Sequence, residues 1–559
     1  MKPVFLVLFC IVCSISLLAQ PPKEKGLAAI TKSAVQGQLE FLASDWTEGR
    51  AAGTKGEYMA ADYIASMFKV YGLEPYGDET FGGMGRRGFS SGGGSGFRGM
   101  GTRAKTYFQN INMVEYKPGP VQKFSVITSS TGSESSVDFN FRTDFSVRPG
   151  NVGISVKAPL VFVGYGFTDE KNGYDDFKKL DVKGKIVLML SGYPGYRDEN
   201  SAAYKKFTPE DRRAQFAIER GKTTKAEKLG AVGIIQIRPG SDPSAEWSDN
   251  QIYPVKGTFY EADLPMKSPY EGRMALPEDT LSGSIPVFTV TSRVINHIMT
   301  GSGIDFAAYE KNVAEKMIPA SMILPGKSVS FQTTVESRIV KVRNVLGYLE
   351  GEKKDEIMVI GGHYDHMGKT DGWVWNGADD NASGTVGVMT LAKAFTSTGK
   401  KPQKSIVFAA WTAEEKGLLG SEYFVKKFPK DKKVVLDLNY DMIARNVATD
   451  SLGNMADMMY TETYKGIKEA TEKNMADYKI NLKLSYKKPG GGSDNVPFGE
   501  AGVPVFYFMA AMHPDYHQPS DEVSKVNWDK MTNIIRIGFL NAWDFANGDE
   551  YLKPEPEKK

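Results

Sequence analysis

Beyond residue 338, short apolar runs of strand length alternate with segments whose apolar residues recur at helical spacing. The predicted strands comprise residues 344–350, 357–362, 405–411, 434–440 and 503–509. The predicted helices comprise residues 382–395, 417–428 and 464–474 between them and a last helix at 528–545. This alternation is typical of an α/β domain whose mostly parallel central sheet is flanked by helices.

Two other patterns precede this region. From residue 26 to 76 apolar residues recur at helical spacing, whereas the runs VGYGF, DVKGKIVLML and GAVGIIQI are short, β-rich and separated by turns. We therefore predict a second, β-rich α+β domain inserted into the first. The predicted divisions are 24–150 and 336–548 for the two parts of the first domain, 151–335 for the insert and 549–559 for a disordered tail.

Residues 1–20 have the pattern of a secretory signal peptide, with a lysine before an apolar run over 4–18 and a polar, Pro-containing segment after it. That run is short for a membrane span of ~20 residues. We expect cleavage near residue 20, export to the periplasm or the medium, and no membrane span afterwards. Cys10 and Cys13, the only cysteines, lie inside this segment, so metal ligands in the mature chain must be nitrogen or oxygen. A lipoprotein signal at one of these cysteines is the alternative.

Composition and charge exclude some partners. A length of 559 residues predicts two or three domains. The net charge of +2 gives no electrostatic attraction for nucleic acid or an anionic membrane.

Residues 81–103 are rich in Gly, Ser and Arg and predict a flexible surface loop. An RGG-like nucleic-acid segment is the alternative there, but the stretch is short and without repeats, so we expect no nucleic-acid partner.

Acidic and histidine residues follow the ends of four predicted strands. The set comprises His363, Asp365, Asp379, Asp380, Glu414, Glu415, Asp441, His513, Asp515 and His517. Because ligands of such sheets bind beyond the carboxyl ends of the strands, we expect these side chains to meet at one edge. For one of the adjacent pair Asp379 and Asp380, a helix N-cap is the alternative.

The chemistry of this set predicts a metal centre. Imidazoles and carboxylates without thiols suit Zn²⁺, with Mn²⁺ or Co²⁺ possible, and so many carboxylates would repel one another unless a cation neutralised them. Two metals bridged by one carboxylate would use five ligands and leave positions open for water and substrate. A sixth carboxylate would then be free to act as general base. Adjacent Glu414 and Glu415 offer this division, because neighbouring side chains at a strand end point in different directions.

Seven segments, in order from about Leu42 to Glu522, resemble the M28 family of metallopeptidases, the aminopeptidases with two co-catalytic zinc ions. They comprise LASDWTEGRAAGTKGEYMAADYI, VIGGHYDHMG, NGADDNASG, WTAEEKGLLGS, LNYDMIAR, GGSDNVPF and HPDYHQPSDE. The predicted insert resembles a protease-associated domain, which in the family carries no catalytic residue. One departure is Asn495, where many relatives have histidine.

The resemblance implies a role for each candidate residue. It implies that His363 and Asp441 bind one zinc, that Glu415 and His517 bind the other, and that Asp380 bridges them. It further implies that Glu414 is the general base and that Asp365 orients the imidazole of His363. His366 and His513 would lie beside the metals or in the substrate cleft.

The expected function is that of an exported dizinc metallopeptidase that removes N-terminal residues from peptides, using a metal-bridged water activated by Glu414. The alternatives are a glutamate-carboxypeptidase-like peptidase, a glutaminyl-cyclase-like acyltransferase with one zinc, and a non-catalytic binding protein with the same insert. The sequence has no evident basic cluster for a substrate carboxylate, which favours the aminopeptidase. Retention of both His363 and Asp441 favours two metals.

Overall fold

A computed structural model gives the structure of the chain. It describes residues 20–81, 103–178, 180–209, 212–237, 272–281, 285–370, 372–447, 449–490, 492–510 and 512–554. The predicted signal peptide up to residue 19, residues 82–102 of the predicted Gly-rich loop and residues 555–559 of the predicted tail lie outside the described residues.

From α8 onwards, helices and strands mostly alternate along the chain. The helices comprise α1 (Pro22–Ala28), α2 (Lys32–Leu42), α3 (Lys55–Val70), α4 (Ala202–Phe207), α5 (Arg212–Lys228), α6 (Ser292–Met299), α7 (Phe306–Lys316), α8 (Gly384–Ser397), α9 (Leu419–Lys427), α10 (Gly466–Asp477), α11 (Asn495–Glu500) and α12 (Trp528–Asn547). The strands comprise β1 (Glu74–Pro75), β2 (Glu79–Phe81), β3 (Arg103–Lys105), β4 (Phe108–Ser130), β5 (Ser133–Phe139), β6 (Phe145–Arg148), β7 (Ile154–Phe162), β8 (Thr168–Asp169), β9 (Tyr174–Asp175), β10 (Ile186–Leu190), β11 (Gly233–Ile237), β12 (Arg273–Ala275), β13 (Val287–Val290), β14 (Met322–Leu349), β15 (Lys353–His363), β16 (Gly368–Thr370), β17 (Trp373–Trp375), β18 (Lys404–Trp411), β19 (Lys433–Tyr440), β20 (Met455–Tyr460), β21 (Lys483–Lys487) and β22 (Val505–Met509).

The predicted α/β fold with a mostly parallel central sheet is confirmed. Strands β18, β15, β19 and β22 lie side by side in this order and run parallel. Strands β14 and β20 flank them and run antiparallel to their neighbours. Because the four parallel strands point the same way, their carboxyl ends meet at one edge, as the sequence predicts.

Helices cover both faces of the parallel strands, and β19 shows how the sequence permits this. Its residues Leu436, Leu438 and Tyr440 lie in the large core beneath α2, α3, α8 and α12. Asp437 and Asn439 alternate with them and point to the opposite face. Trp411, Phe424 and Phe498 form a smaller core on that second face, under α9 and α11.

A long two-stranded ribbon leads from the central sheet to a second core. Strands β4 and β14 pair antiparallel along most of their length, with one register shift between Thr333 and Val335. Beyond that shift, β7, β10, β11, β13 and β6 continue the sheet. The second core contains Phe124, Phe145 and Phe331, so it takes residues from both sides of the boundary predicted at residue 151.

Part of the predicted tail packs against the body of the protein. Lys404 pairs with Asp549, and the ring of Tyr551 lies 6.3 Å from that of Phe545. Within the described part of the chain, each helix is too short or too polar to cross a lipid bilayer.

Candidate metal centre

The four strand ends deliver the candidate ligands to the same edge of the sheet. His363 is the last residue of β15, Asp441 directly follows β19, and Glu414 lies three residues beyond β18. Asp380 lies in the irregular turn Ala378–Ser383 that leads into α8. His517 lies in the segment after β22. The residues therefore come from separate parts of the chain and meet through the fold.

One group of possible ligand atoms surrounds the imidazole of His363. Its Nε2 lies 3.4 Å from Asp380 Oδ1, 3.5 Å from Asp441 Oδ1 and 3.8 Å from Glu414 Oε2. Two ligands about 2 Å from one tetrahedral ion are themselves roughly 3.3 Å apart. The distances from His363 to Asp380 and to Asp441 therefore suit a small cation shared by these ligand atoms.

A second group lies on the other side of Asp380. His517 Nε2 is 3.1 Å from Asp380 Oδ2 and 3.2 Å from Glu415 Oε2. The two oxygens of Asp380 thus face different groups, Oδ1 towards His363 and Oδ2 towards His517. A carboxylate in this position can bridge two ions, as the resemblance implies.

His366 and Glu414, to which the resemblance assigns roles other than metal binding, also lie among the possible ligands. In two groups of three residues, the possible ligand atoms lie within 4.8 Å of one another. These groups comprise His363, Glu414 and Asp441, and His366, Asp380 and Glu415. His366 Nδ1 lies 2.8 Å from Glu415 Oε1. His366 therefore contacts the metal-site carboxylates directly, and Glu414 lies close enough to reach the same space as Asp441.

Asp365 links the loop of His363 to the loop of Glu414. His363 Nδ1 lies 3.1 Å from the Asp365 carbonyl oxygen and 3.8 Å from its Oδ1. Asp365 Oδ1 accepts a hydrogen bond from the Glu414 amide at 3.0 Å. Asp365 therefore contacts the backbone of the proposed base as well as the imidazole.

The adjacent glutamates differ in their electrostatic surroundings. Burial raises the pKa of the Glu414 carboxyl well above its ordinary value, against the attraction of His363. Burial acts on Glu415 too, but His517 and His366 outweigh it and hold the pKa of Glu415 well below its ordinary value. Burial lowers the pKa of His517, but Glu415 and Asp380 raise it more, to about 10. Glu415 is therefore the carboxylate that the surrounding imidazoles hold in its charged form.

At the candidate metal centre, some buried carboxylate oxygens have no hydrogen-bond donor among the described residues. Asp441 Oδ1 and Asp365 Oδ2 are buried and have no hydrogen-bond donor among the described residues. A buried carboxylate oxygen without a donor is costly unless a cation lies next to it. The group of candidate ligand atoms therefore fits a bound cation, and its nitrogen and oxygen atoms fit Zn²⁺.

The remaining candidate residues have structural partners. His513 Nε2 lies 3.1 Å from Asp379 Oδ2, while Asp379 Oδ1 accepts a hydrogen bond from the Ala444 amide. Asp515 pairs with Arg445, whose guanidinium also lies 3.2 Å from Asp521 Oδ1. Asp379 and Asp515 are thereby satisfied by protein donors.

Arg50 and Glu57 support the site but have no separate role in the sequence analysis. Arg50 is fully buried and donates hydrogen bonds to the carbonyls of residues 42, 364, 376 and 377. Glu57 accepts hydrogen bonds from the hydroxyls of Tyr364 and Thr412, and burial raises its pKa to about 8. The segment LASDWTEGRAAGTKGE contains both residues, but most of their partners named here lie more than 300 positions away in the chain.

Residues 344–539 match the family described as Peptidase family M28. The glutamate carboxypeptidase 2 homolog of Caenorhabditis elegans is 29% identical over 450 residues, which are 69% of this chain and 53% of that protein. Aminopeptidase Y of Saccharomyces cerevisiae is 26% identical over 261 residues, 44% of this chain and 47% of that protein. The chain thus spans about half the length of these relatives.

Solved structures share the fold. The aminopeptidase from Aneurinibacillus sp. strain AM-1 superposes with a TM-score of 0.56 at 18% identity, covering 96% of this chain and 98% of the other. The peptidase M28 precursor from Shewanella amazonensis gives a TM-score of 0.53 at 18% identity, covering 96% and 98%. The predicted fold is therefore confirmed, and the predicted resemblance to M28 metallopeptidases is matched by the family model over residues 344–539. The protease-associated insert and the export signal remain predictions.

Proposed function

We propose that this chain, whose residues 344–539 form an M28 peptidase domain, is a dizinc aminopeptidase that removes N-terminal residues from peptides. One ion would be held by His363 and Asp441, the other by Glu415 and His517, with Asp380 between them. The observation that carries this proposal is the geometry of Asp380, whose two oxygens lie 3.4 Å from His363 and 3.1 Å from His517. Such ions, when bound, lower the pKa of a water and polarise a carbonyl.

Glu414 is proposed as the general base. Its carboxylate lies 3.8 Å from His363 Nε2, at the border of the first ligand group, and its amide is tied to Asp365. From this position the carboxylate accepts a proton from the attacking water and returns it to the departing amine. The hydrogen bond to Asp365 restrains the backbone of Glu414 next to the first ligand group.

Two buried guanidiniums near the site favour an aminopeptidase over a glutamate-carboxypeptidase-like enzyme. Arg445 is paired with Asp515 and Asp521. Arg50 donates to four backbone carbonyls. Neither is therefore available to bind the terminal carboxylate of a substrate. The likeness to glutamate carboxypeptidase 2 homologs keeps that activity as the second candidate.

Two remaining alternatives predict different metal content. A glutaminyl-cyclase-like acyltransferase would use one zinc, and a non-catalytic binding protein would need none. Both His363 with Asp441 and Glu415 with His517 are present as spatial groups, which supports two ions.

The test combines metal quantification with a panel of aminoacyl substrates and C-terminally blocked or free peptides. We expect two zinc ions per chain and release of N-terminal residues. Glu414→Gln should keep both ions and lose activity by roughly 10²–10⁴-fold, the usual contribution of general acid–base catalysis. Glu422→Gln, the same change at a residue that pairs with Lys426 on α9, is the matched control. Fewer than two ions, or full activity of Glu414→Gln, would contradict the proposal.

We also propose that the chain is exported and that residues 151–335 form a protease-associated domain. The support for export is the signal-like pattern over residues 1–20. N-terminal sequencing of the protein recovered outside the cytoplasm should begin near residue 20. Recovery of the intact N-terminus in the cytoplasm alone would contradict export.

A further inference from the structure

A short segment of the predicted insert lies apart from the neighbouring strands of the insert and packs next to the loop that carries the proposed base. Strands β11 and β13 are neighbours in the part of the sheet that lies beyond the ribbon, but β12, which lies between them in the chain, pairs with β4 at residues 114–116. Next to this pairing, Met274 and Leu276 enter an apolar cluster that belongs mainly to the peptidase domain.

The same apolar cluster holds both ends of the loop that carries Glu414 and Glu415. Ala413 and Leu419 are members of the cluster together with Met274 and Leu276. Leu276 and Ala413 are both fully buried. Side chains of the insert therefore share one packed core with the residue directly before the proposed base.

The loop itself has a backbone that requires such support. Ala413 has φ +54° and Leu418 has φ +63°, left-handed conformations that non-glycine residues adopt only when their surroundings hold them there. The Leu419 amide donates to the Ala413 carbonyl at 3.2 Å, and the Leu418 amide donates to the Glu414 carbonyl at 2.9 Å. These bonds close the turn, and the apolar cluster fixes its two ends.

Two further contacts lie on either side of the segment. The guanidinium of Arg273 lies 4.3 Å from the ring centre of Tyr116 on β4. Asp279 Oδ1 lies 3.9 Å from Lys426 Nζ on α9, the helix that follows the loop. The segment therefore contacts the ribbon before the loop and the helix after it.

We propose that residues 273–276 of the insert are a positioning element for the catalytic loop, with Leu276 fixing the backbone at Ala413 and hence the place of the Glu414 carboxylate. The inference rests on the proposed function, in which Glu414 is the base. It gives the insert a part in turnover that needs no catalytic side chain. A displacement of about 1 Å at a catalytic group can cost roughly 10²-fold in rate, so truncation of Leu276 should affect turnover more than binding.

The test compares two equally buried leucines of the insert. Leu276→Ala should lower kcat about ten-fold or more, with KM and the zinc content unchanged, and Leu276→Met should restore most of kcat. Leu188→Ala is the control, because Leu188 is also fully buried but belongs to the second core. It should lower the Tm to a similar extent while kcat, measured well below the Tm, stays near wild type. If Leu276→Ala does not fold, Leu276→Val provides the smaller truncation, with a smaller loss of kcat in the same direction.

The outcomes separate this inference from the proposed function. An active wild-type enzyme with two zinc ions and an unchanged kcat in folded Leu276→Ala or Leu276→Val would overturn the inference alone. An equal loss of kcat in Leu188→Ala would also overturn it, because the effect would then be general destabilisation. A wild-type protein without peptidase activity would instead refute the proposed function.

Discussion

Both the candidate metal centre and the second core bury carboxyl groups, but the groups have different partners. In the second core, Asp176 accepts hydrogen bonds from the Phe167 amide at 3.0 Å and the Tyr174 hydroxyl at 2.8 Å. Glu310 lies 3.1 Å from both the Tyr165 hydroxyl and a guanidinium nitrogen of Arg197. These acids are satisfied by protein donors, as buried polar groups in structural roles are.

At the sheet edge the acids face one another and a few imidazoles instead. Asp441 Oδ1 and Asp365 Oδ2 have no donor among the described residues, and Asp380 lies between two histidines. Since a buried charge is costly without compensation, the acids around Asp380 suit a bound cation. Burial of an acid alone therefore does not distinguish a structural group from a ligand; the partners do.

Replacing Asp380 and Asp379 in turn should give the largest contrast between a ligand and a structural acid. Asp380→Asn removes the charge between the two ligand groups, so bound zinc should fall below two ions per chain. Activity should fall by more than about 10³-fold, since metal-assisted catalysis supplies several kcal/mol. Metal quantification and a peptidase assay measure both effects.

Asp379→Asn makes the same change at the adjacent buried residue. Asp379 Oδ2 lies 3.1 Å from His513 Nε2, and its Oδ1 accepts from Ala444. We expect a lower Tm but two bound zinc ions and most of the activity. Loss of zinc in both variants to the same extent would show that the distinction by partners is wrong.

Metal removal tests the same distinction without any mutation. Chelation should leave the acids of the sheet edge uncompensated and lower the stability of the peptidase domain, whereas the second core should be unaffected. At a free zinc concentration 1,000 times Kd, bound metal contributes about 4 kcal/mol. Calorimetry with and without chelator, followed by hydrogen exchange of the strands in each core, measures this difference. Equal destabilisation of both cores, or none, would contradict it.

The sequence predicts that the candidate ligands lie close together, because most of them follow strands whose apolar runs are recognisable locally; their role as metal ligands stays a prediction. His363, for example, is the last residue of β15. It does not predict which residues far apart in the chain come together, such as Arg50 and the carbonyls near residue 376, or Leu276 and Ala413 in one apolar cluster. The second core takes residues from both sides of the boundary predicted at 151, because β4 is one strand of 23 residues although Gly119 and its flanking prolines interrupt the apolar pattern.

Replacing Arg50 should have a smaller effect, and it tests whether residues around the candidate ligands hold them in position. Lysine cannot reproduce the bonds of a guanidinium to four carbonyls in different directions. Arg50→Lys should therefore lower kcat about ten-fold and reduce the Tm by several degrees, while both zinc ions stay bound. Arg536→Lys is the control, because Arg536 contacts one carbonyl at 3.5 Å. Loss of zinc in Arg50→Lys would indicate that it helps to form the ligand set rather than to position it.

The smallest effect is expected for Asp176 of the second core, and it depends on pH. Burial raises the pKa of the Asp176 carboxyl to about 7 in the folded protein, whereas the unfolded chain has a value near 3.9. The folded state therefore holds its proton to higher pH, so the stability that this group contributes is present below about pH 4 and is lost as pH rises through about 7. Asp176→Asn cannot titrate, so its Tm relative to wild type should rise by a few degrees between pH 5 and pH 8. Activity should be unchanged, because the carboxyl is satisfied by protein donors far from the ligands. A Tm difference that is constant across this range would show that Asp176 is charged in the folded protein throughout, as the acids facing a cation are.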